Sequence, residues 1–97
     1  MGDPHNRLVA SLIARAGDGA RLVHGSSRPW ASVTFSGHVH FVNLSLPAAA
    51  ADAFLDGLDE ADFPLPGHLL ADIALAGRRD GEGRALLELE ALVLEAG

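Results

Sequence analysis

The 97-residue chain has no cysteine, no lysine and no tyrosine, and only one tryptophan and four phenylalanines. Without cysteine there is no disulfide framework, no thiolate metal ligand and no thiol nucleophile, so stability has to come from packing, and the composition fits a reducing compartment. No segment approaches the ~20 consecutive apolar residues that span a bilayer. The opening Met1-Gly2-Asp3-Pro4-His5 lacks the basic stretch and long apolar core of a secretory signal, and Asn6 stands where a myristoylation pattern wants Ser or Thr. The expectation is a cytoplasmic protein with no membrane partner. Positive charge is also scarce: all seven basic residues are arginine against thirteen acidic ones, for a formal charge of −6. A nucleic-acid backbone is repelled on average by such a chain. Arg7, Arg15, Arg21 and Arg28 are too dispersed to offset that, so no nucleic-acid partner is expected.

What is present fits one folded domain spanning 1–97. Hydrophobic residues make up 48% and charged residues 21%, close to the globular average. A chain of this length buries roughly 65% of the surface its unfolded form exposes. Asp3-Pro4 is a helix start, and Leu8, Val9, Leu12, Ile13 and Ala16 form one stripe before Gly17 ends it. Ala20 to His24 reads as a short strand closed by the turn-rich Gly25-Ser26-Ser27-Arg28-Pro29. From Trp30 to Leu46, Ala31, Val33, Phe35, Val39 and Phe41 alternate with Ser32, Thr34, Ser36, His38 and His40, which predicts one dry face, with Ser36-Gly37 as a hairpin turn or a bulge. Beyond Phe41 the apolar phase slips to Val42, Leu44 and Leu46. Pro47 opens a second helix to about Leu58, with Ala50, Ala51, Phe54, Leu55 and Leu58 on one side. Leu69, Ala71, Ile73 and Leu75 form one strand row and Ala85, Leu87, Leu89, Ala91 and Val93 another, and an odd-length turn pairing Leu75 with Leu87 would put both rows on one face.

The fold class that follows is α+β: an antiparallel sheet of four or five strands with two helices packed on one face, ordered α-β-β-β-α-β-β or α-β-β-α-β-β. The core should unite Val33, Phe35, Ile73, Leu87 and Leu89 beneath Leu12, Ile13, Phe54 and Leu58.

Three groups of residues stand out chemically. His38 and His40, two apart in a strand, project imidazoles to the same side about 7 Å apart, the spacing for two ligands of a divalent metal, with His24, Asp72, Glu88 or Glu90 as conceivable third ligands. The commoner meaning of such a pair is two polar residues on the wet side of a half-buried strand. His24, Ser26, Ser27, Arg28 and Trp30 gather a base, hydroxyls, a guanidinium and an indole that suit an anionic or aromatic ligand, although Gly, Ser and Pro in that stretch also do what any turn requires. Leu70, Leu86, Leu92 and Leu94 are left over by the alternation and fall opposite the helices, where a monomer exposes them; a contiguous patch there marks a homodimer interface. No nucleophile elbow, phosphate loop, dinucleotide fingerprint or zinc-protease helix occurs. The acidic Asp52, Asp56, Asp59, Glu60 and Asp62 lack the spacing of a calcium loop. The expected function is a homodimeric binding or interaction module without catalysis or cofactor, taking a protein or small molecule as partner; metal binding or a small enzyme built on His38 and His40 is the alternative.

Overall fold

In the computed structural model, which describes residues 3–96, the order is α-β-β-α-β-β. Helix α1 (Pro4–Ala16) precedes strands β1 (Arg21–Ala31) and β2 (Ser36–Pro47). Helix α2 (Ala48–Leu55) and a 3-10 turn (Leu58–Glu60) follow, and strands β3 (His68–Gly81) and β4 (Arg84–Glu95) complete the chain. The strands form one antiparallel sheet in the order β1-β2-β4-β3. Among the described residues no helix is long and apolar enough to cross a membrane.

The helix signals act as their chemistry requires. The Asp3 carboxylate accepts the His5 N–H at 3.0 Å, Pro4 occupies the first turn, and the Gly17 N–H donates to Ile13 O at 3.0 Å from a left-handed φ of 86°. Helix α2 ends three residues short of the expected Leu58: Gly57 turns left-handed, and Leu58 is buried from the 3-10 turn instead. Arg15 of α1 closes the end of α2 by donating to Phe54 O at 3.0 Å and Asp56 O at 2.6 Å, so carbonyls left without partners at that terminus are satisfied across the helix pair.

Parity decides which residues enter the core. On β2 the buried row is His40, Val42, Leu44 and Leu46, opposite Ala91, Leu89, Leu87 and Ala85 of β4, with Leu8, Val9, Leu12, Ala51 and Phe54 above it. The expected dry row is therefore inverted. Phase holds from Leu46 back to His38, so Val39 and Phe41 point away from the helices, and the apparent slip after Phe41 is the true register. The turn is not Ser36-Gly37 but Ser32–Phe35, where the Ser32 N–H donates to Phe35 O at 2.8 Å and the Phe35 N–H to Ser32 Oγ at 3.0 Å. Val33 is fully exposed and Phe35 is 53% exposed at this tip, so neither belongs to the core. Ile13 packs against the core from a half-buried position.

The second hairpin puts Ile73 on the helix side as expected, but by another route and in a register two residues away from the expected pairing of Leu75 with Leu87. Its turn is the two-residue Glu82–Gly83, both with positive φ (56° and 78°), closing on Gly81 opposite Arg84. An even turn alone would send Ile73 and Leu75 to the wrong side. A one-residue irregularity between Leu75 and Gly77 restores them, so that Leu75 faces Leu89 and Ile73 faces Ala91. A second, between Leu70 and Asp72, reverses the parity again: Leu70 joins the helix side opposite Val93, and Leu69, expected inside, is turned out opposite Leu94 and is 57% exposed.

These assignments separate by mutation. Leu87→Ala removes a fully buried side chain and should cost ~2–5 kcal/mol, whereas Phe35→Ala at the exposed tip should cost about 0.5 kcal/mol or less. Urea denaturation of the two variants checks the difference.

Candidate functional site

The paired strand histidines do lie on one side of β2, with ring centroids 6.2 Å apart. That side faces the helices and not solvent. His40 is 3% exposed, buried by the first turn of α1, while His38 stays exposed near the sheet end. The partner of His40 is His5, which no sequence pattern marks. The two Nδ1 atoms lie 2.9 Å apart and the rings stack at 5.1 Å. Gly25 of β1 makes room, because a Cβ at that position would stand 2.9 Å from His5 Nε2. A signal for His40 is present in the sequence: it shares parity with Val42, Leu44 and Leu46. None exists for His5, whose position is set by the packing of α1 across the sheet.

An Nδ1–Nδ1 hydrogen bond needs one ring to donate and the other to accept, so the pair carries a proton on one of the two atoms and is incompatible with two imidazolium ions. His40 Nε2 is buried and has no hydrogen-bond partner. Burial, reinforced by His5 and His38 and opposed by Asp3, lowers the pKa of His40 from 6.5 to about 4. With Nδ1 engaged by His5, the nitrogen that His40 has left for a metal is the buried Nε2, whereas His38 is exposed. Among the described residues no group of three or more His, Cys, Asp or Glu side chains is arranged to hold a metal ion.

The second candidate region also changes shape. Gly25 to Pro29 is not a turn but the middle of β1, and strand alternation divides its residues. Ser27 faces the helix side opposite His40, while His24, Ser26, Arg28 and Trp30 lie on the side without helices, opposite Asn43, Phe41, Val39 and Gly37. The Arg28 guanidinium carbon sits 5.3 Å from the centre of the Phe41 ring, a cation–π contact. No pocket opens among the described residues. These side chains form one column of an open surface instead of lining a cleft.

Leu86, Leu92 and Leu94 project from β4 onto that same open side. Leu70 does not: the irregularity beside it places it against the core, and Leu69 takes the position expected of it. Leu94, at 9% exposed, is already largely covered, flanked in register by Leu69 and by Gly37, beyond which lies Trp30. Gly37 has no room for a side chain, since a Cβ would run into the backbone of Val93 and Leu94. Read across β1, β2, β4 and β3, the open side has a row of Trp30, Gly37, Leu94 and Leu69, then Arg28, Val39, Leu92 and Asp72. The next rows are Ser26, Phe41, Glu90 and Ala74, and His24, Asn43, Glu88 and Gly77. Two regions that look unrelated along the chain, residues 24–30 and the leftover leucines, thus belong to a single surface. The acidic stretch from Asp52 to Asp62 lies away from it; Asp52 binds Arg78 at 2.7 Å, and Arg78 also holds Asp80 below the usual carboxylate range.

The burial of His40, with His5 beside it, makes stability depend on pH. The unfolded chain has an ordinary imidazole that protonates near pH 6.5, whereas folded His40 does so only near 4. Between these values the unfolded state binds more protons, so the contribution of neutral His40 is complete above pH 6.5 and is lost as pH falls to 4. The loss should reach about 2 kcal/mol after allowance for solvent screening. Urea titrations at about pH 7.5 and 4.5 should show this loss for the wild type and a much smaller one for His40→Leu, since the variant retains every carboxylate. Equal losses in the two proteins would rule out His40 as the source. Compared with known protein families, characterised proteins and solved structures, the chain matches none, so its functional reading rests on the geometry of these two sites.

Proposed function

We propose that this protein is a non-catalytic interaction module that works as a homodimer in the cytoplasm, with the helix-free side of the sheet as its contact surface. The observation that carries this reading is the composition of that surface. The exposed Leu69 and the half-buried Trp30, Val39, Phe41 and Leu92 surround the buried Leu94 at one end of the side of the sheet opposite the helices. Isolated exposed leucines are ordinary on soluble proteins, but a contiguous apolar patch rimmed by charge is the pattern of an association surface. Here the rim consists of Arg28, Asp72, Glu88 and Glu90. A second copy is the occupant favoured by economy, because a twofold contact buries the same patch twice. The cysteine-free composition suits the reducing setting assigned to it.

Leu92 lies in the middle of the patch, between Val39 and Asp72. In sedimentation velocity at tens of micromolar, the wild type should run as a dimer. Leu92→Glu should weaken association at least ~10-fold while leaving the circular dichroism spectrum unchanged, because the buried row of β4 is untouched. A monomeric wild type at that concentration would refute the reading.

A further inference from the structure

The open side is divided lengthwise into unlike halves. The β1–β2 half has aromatic and basic groups: Trp30, Phe41, Arg28, His24 and, at the tip, Phe35. The β4–β3 half has leucines and acids: Leu69, Leu92, Leu94, Asp72, Glu88 and Glu90. We infer that two copies pack sheet on sheet about a twofold axis parallel to the strands, so that the aromatic, basic half of each lies on the leucine-rich, acidic half of the other. The inference rests on the homodimer reading and adds to it the symmetry and the pairing.

Two simple axes bring these surfaces face to face. An axis parallel to the strands carries β1 over the partner's β3 and β2 over its β4, and keeps every row level with itself. Arg28 then meets the Asp72 row position, Trp30 meets that of Leu69, and Val39 meets that of Leu92. The Arg28–Phe41 stack lies close to the position of Glu90. The exposed Val33–Phe35 tip extends over the start of β3 beside Leu69. An axis across the strands instead stacks β1 on β1 and reverses the rows. Centred on the sheet, it sets Glu90 over the Glu90 position, Arg28 over that of His24 and Leu92 over that of Glu88, so acids meet acids and Arg28 finds no carboxylate. Electrostatic complementarity therefore selects the parallel axis.

Packed sheets cross at about 30°, so level rows coincide only near the crossing point. The apolar rows place that point near Arg28 and Val39. Arg21 and Arg79, the one like-charged match, lie three rows away, where the crossing angle swings them apart. Four strands ~4.8 Å apart and the four rows from Trp30 to His24, ~6.7 Å apart, cover on the order of 500 Å² of flat area. With side-chain relief, this approaches the ~800 Å² per partner of a standard interface.

The absence of native cysteine makes the test direct. Arg28→Cys and Asp72→Cys, both at exposed strand positions, are purified separately, mixed and treated with a short bismaleimide, with circular dichroism confirming that each is folded. The expected main product is the mixed cross-link, joining one Arg28→Cys chain to one Asp72→Cys chain, with little product from either variant alone. In parallel, Arg28→Asp and Asp72→Arg should each weaken dimerisation ~10-fold, and the double exchange should recover most of the loss. A dominant product from the Arg28→Cys variant linked to itself would identify a crosswise axis passing beside Arg28. No cross-link, while the wild type sediments as a dimer, would place the contact elsewhere. Either result overturns this geometry and leaves the homodimer standing; a monomeric wild type overturns both.

Discussion

The ladder between β2 and β4 is the one strand pairing without an irregularity, running from Gly37 opposite Leu94 to Pro47 opposite Arg84. Everything else is placed by it. Its helix side supplies Val42, Leu44, Leu46, Ala85, Leu87, Leu89, Ala91 and Val93, all buried, and these form most of the floor on which α1 and α2 rest. Both outer strands bend to meet this central pair. β1 shifts register between Leu22 and His24, and β3 does so twice. Burial in the middle of the sheet sets the frame, and the edges adjust to it because an edge strand can absorb an extra residue at the cost of a local ladder bond.

That hierarchy explains what the sequence disclosed. The limits of α1, the start of α2, the two-helix α+β architecture and the strand nature of Arg84–Glu95 are legible, because caps, prolines and alternation are local signals. The buried row of β4 is equally plain, since alternation there runs unbroken from Ala85 to Val93. β2 misleads because both of its sides are apolar near Val39 to Val42, and the longer run of β-branched and aromatic residues lies on the side that no helix covers. The compensating irregularities in β3 leave no local mark beyond small residues, Ala71 and Ala76. They therefore reverse the assignments of Leu69 and Leu70 without warning. His5 and His40 meet through tertiary packing alone, which no spacing rule reports.

The two candidate regions make opposite use of the sheet. On the helix side a polar ring is drawn into the core, held by one hydrogen bond, with its other nitrogen unpartnered. Such a group reduces stability relative to an apolar one of equal size and is sensitive to proton activity. On the open side apolar groups are left in water, and this also has a cost unless something covers them. A domain this small has little surplus stability. Both departures from a simple inside-outside rule occur toward the end of the sheet that bears Trp30 and His38.

The even turn at Glu82–Gly83 and the irregularities in β3 form a linked set of counts. Each step of one residue exchanges inside for outside, and the steps after Leu75 and after Leu70 alternate the sides of everything before them. Loss of a single residue between Leu75 and the turn would bring the buried Ile73 and the already exposed Leu75 to the open side and turn Asp72 and Ala74 toward the helices. Loss of two would leave every side chain on its present side. Length variation in this arm of the protein therefore either comes in pairs of residues or calls for a further irregularity to absorb the odd one.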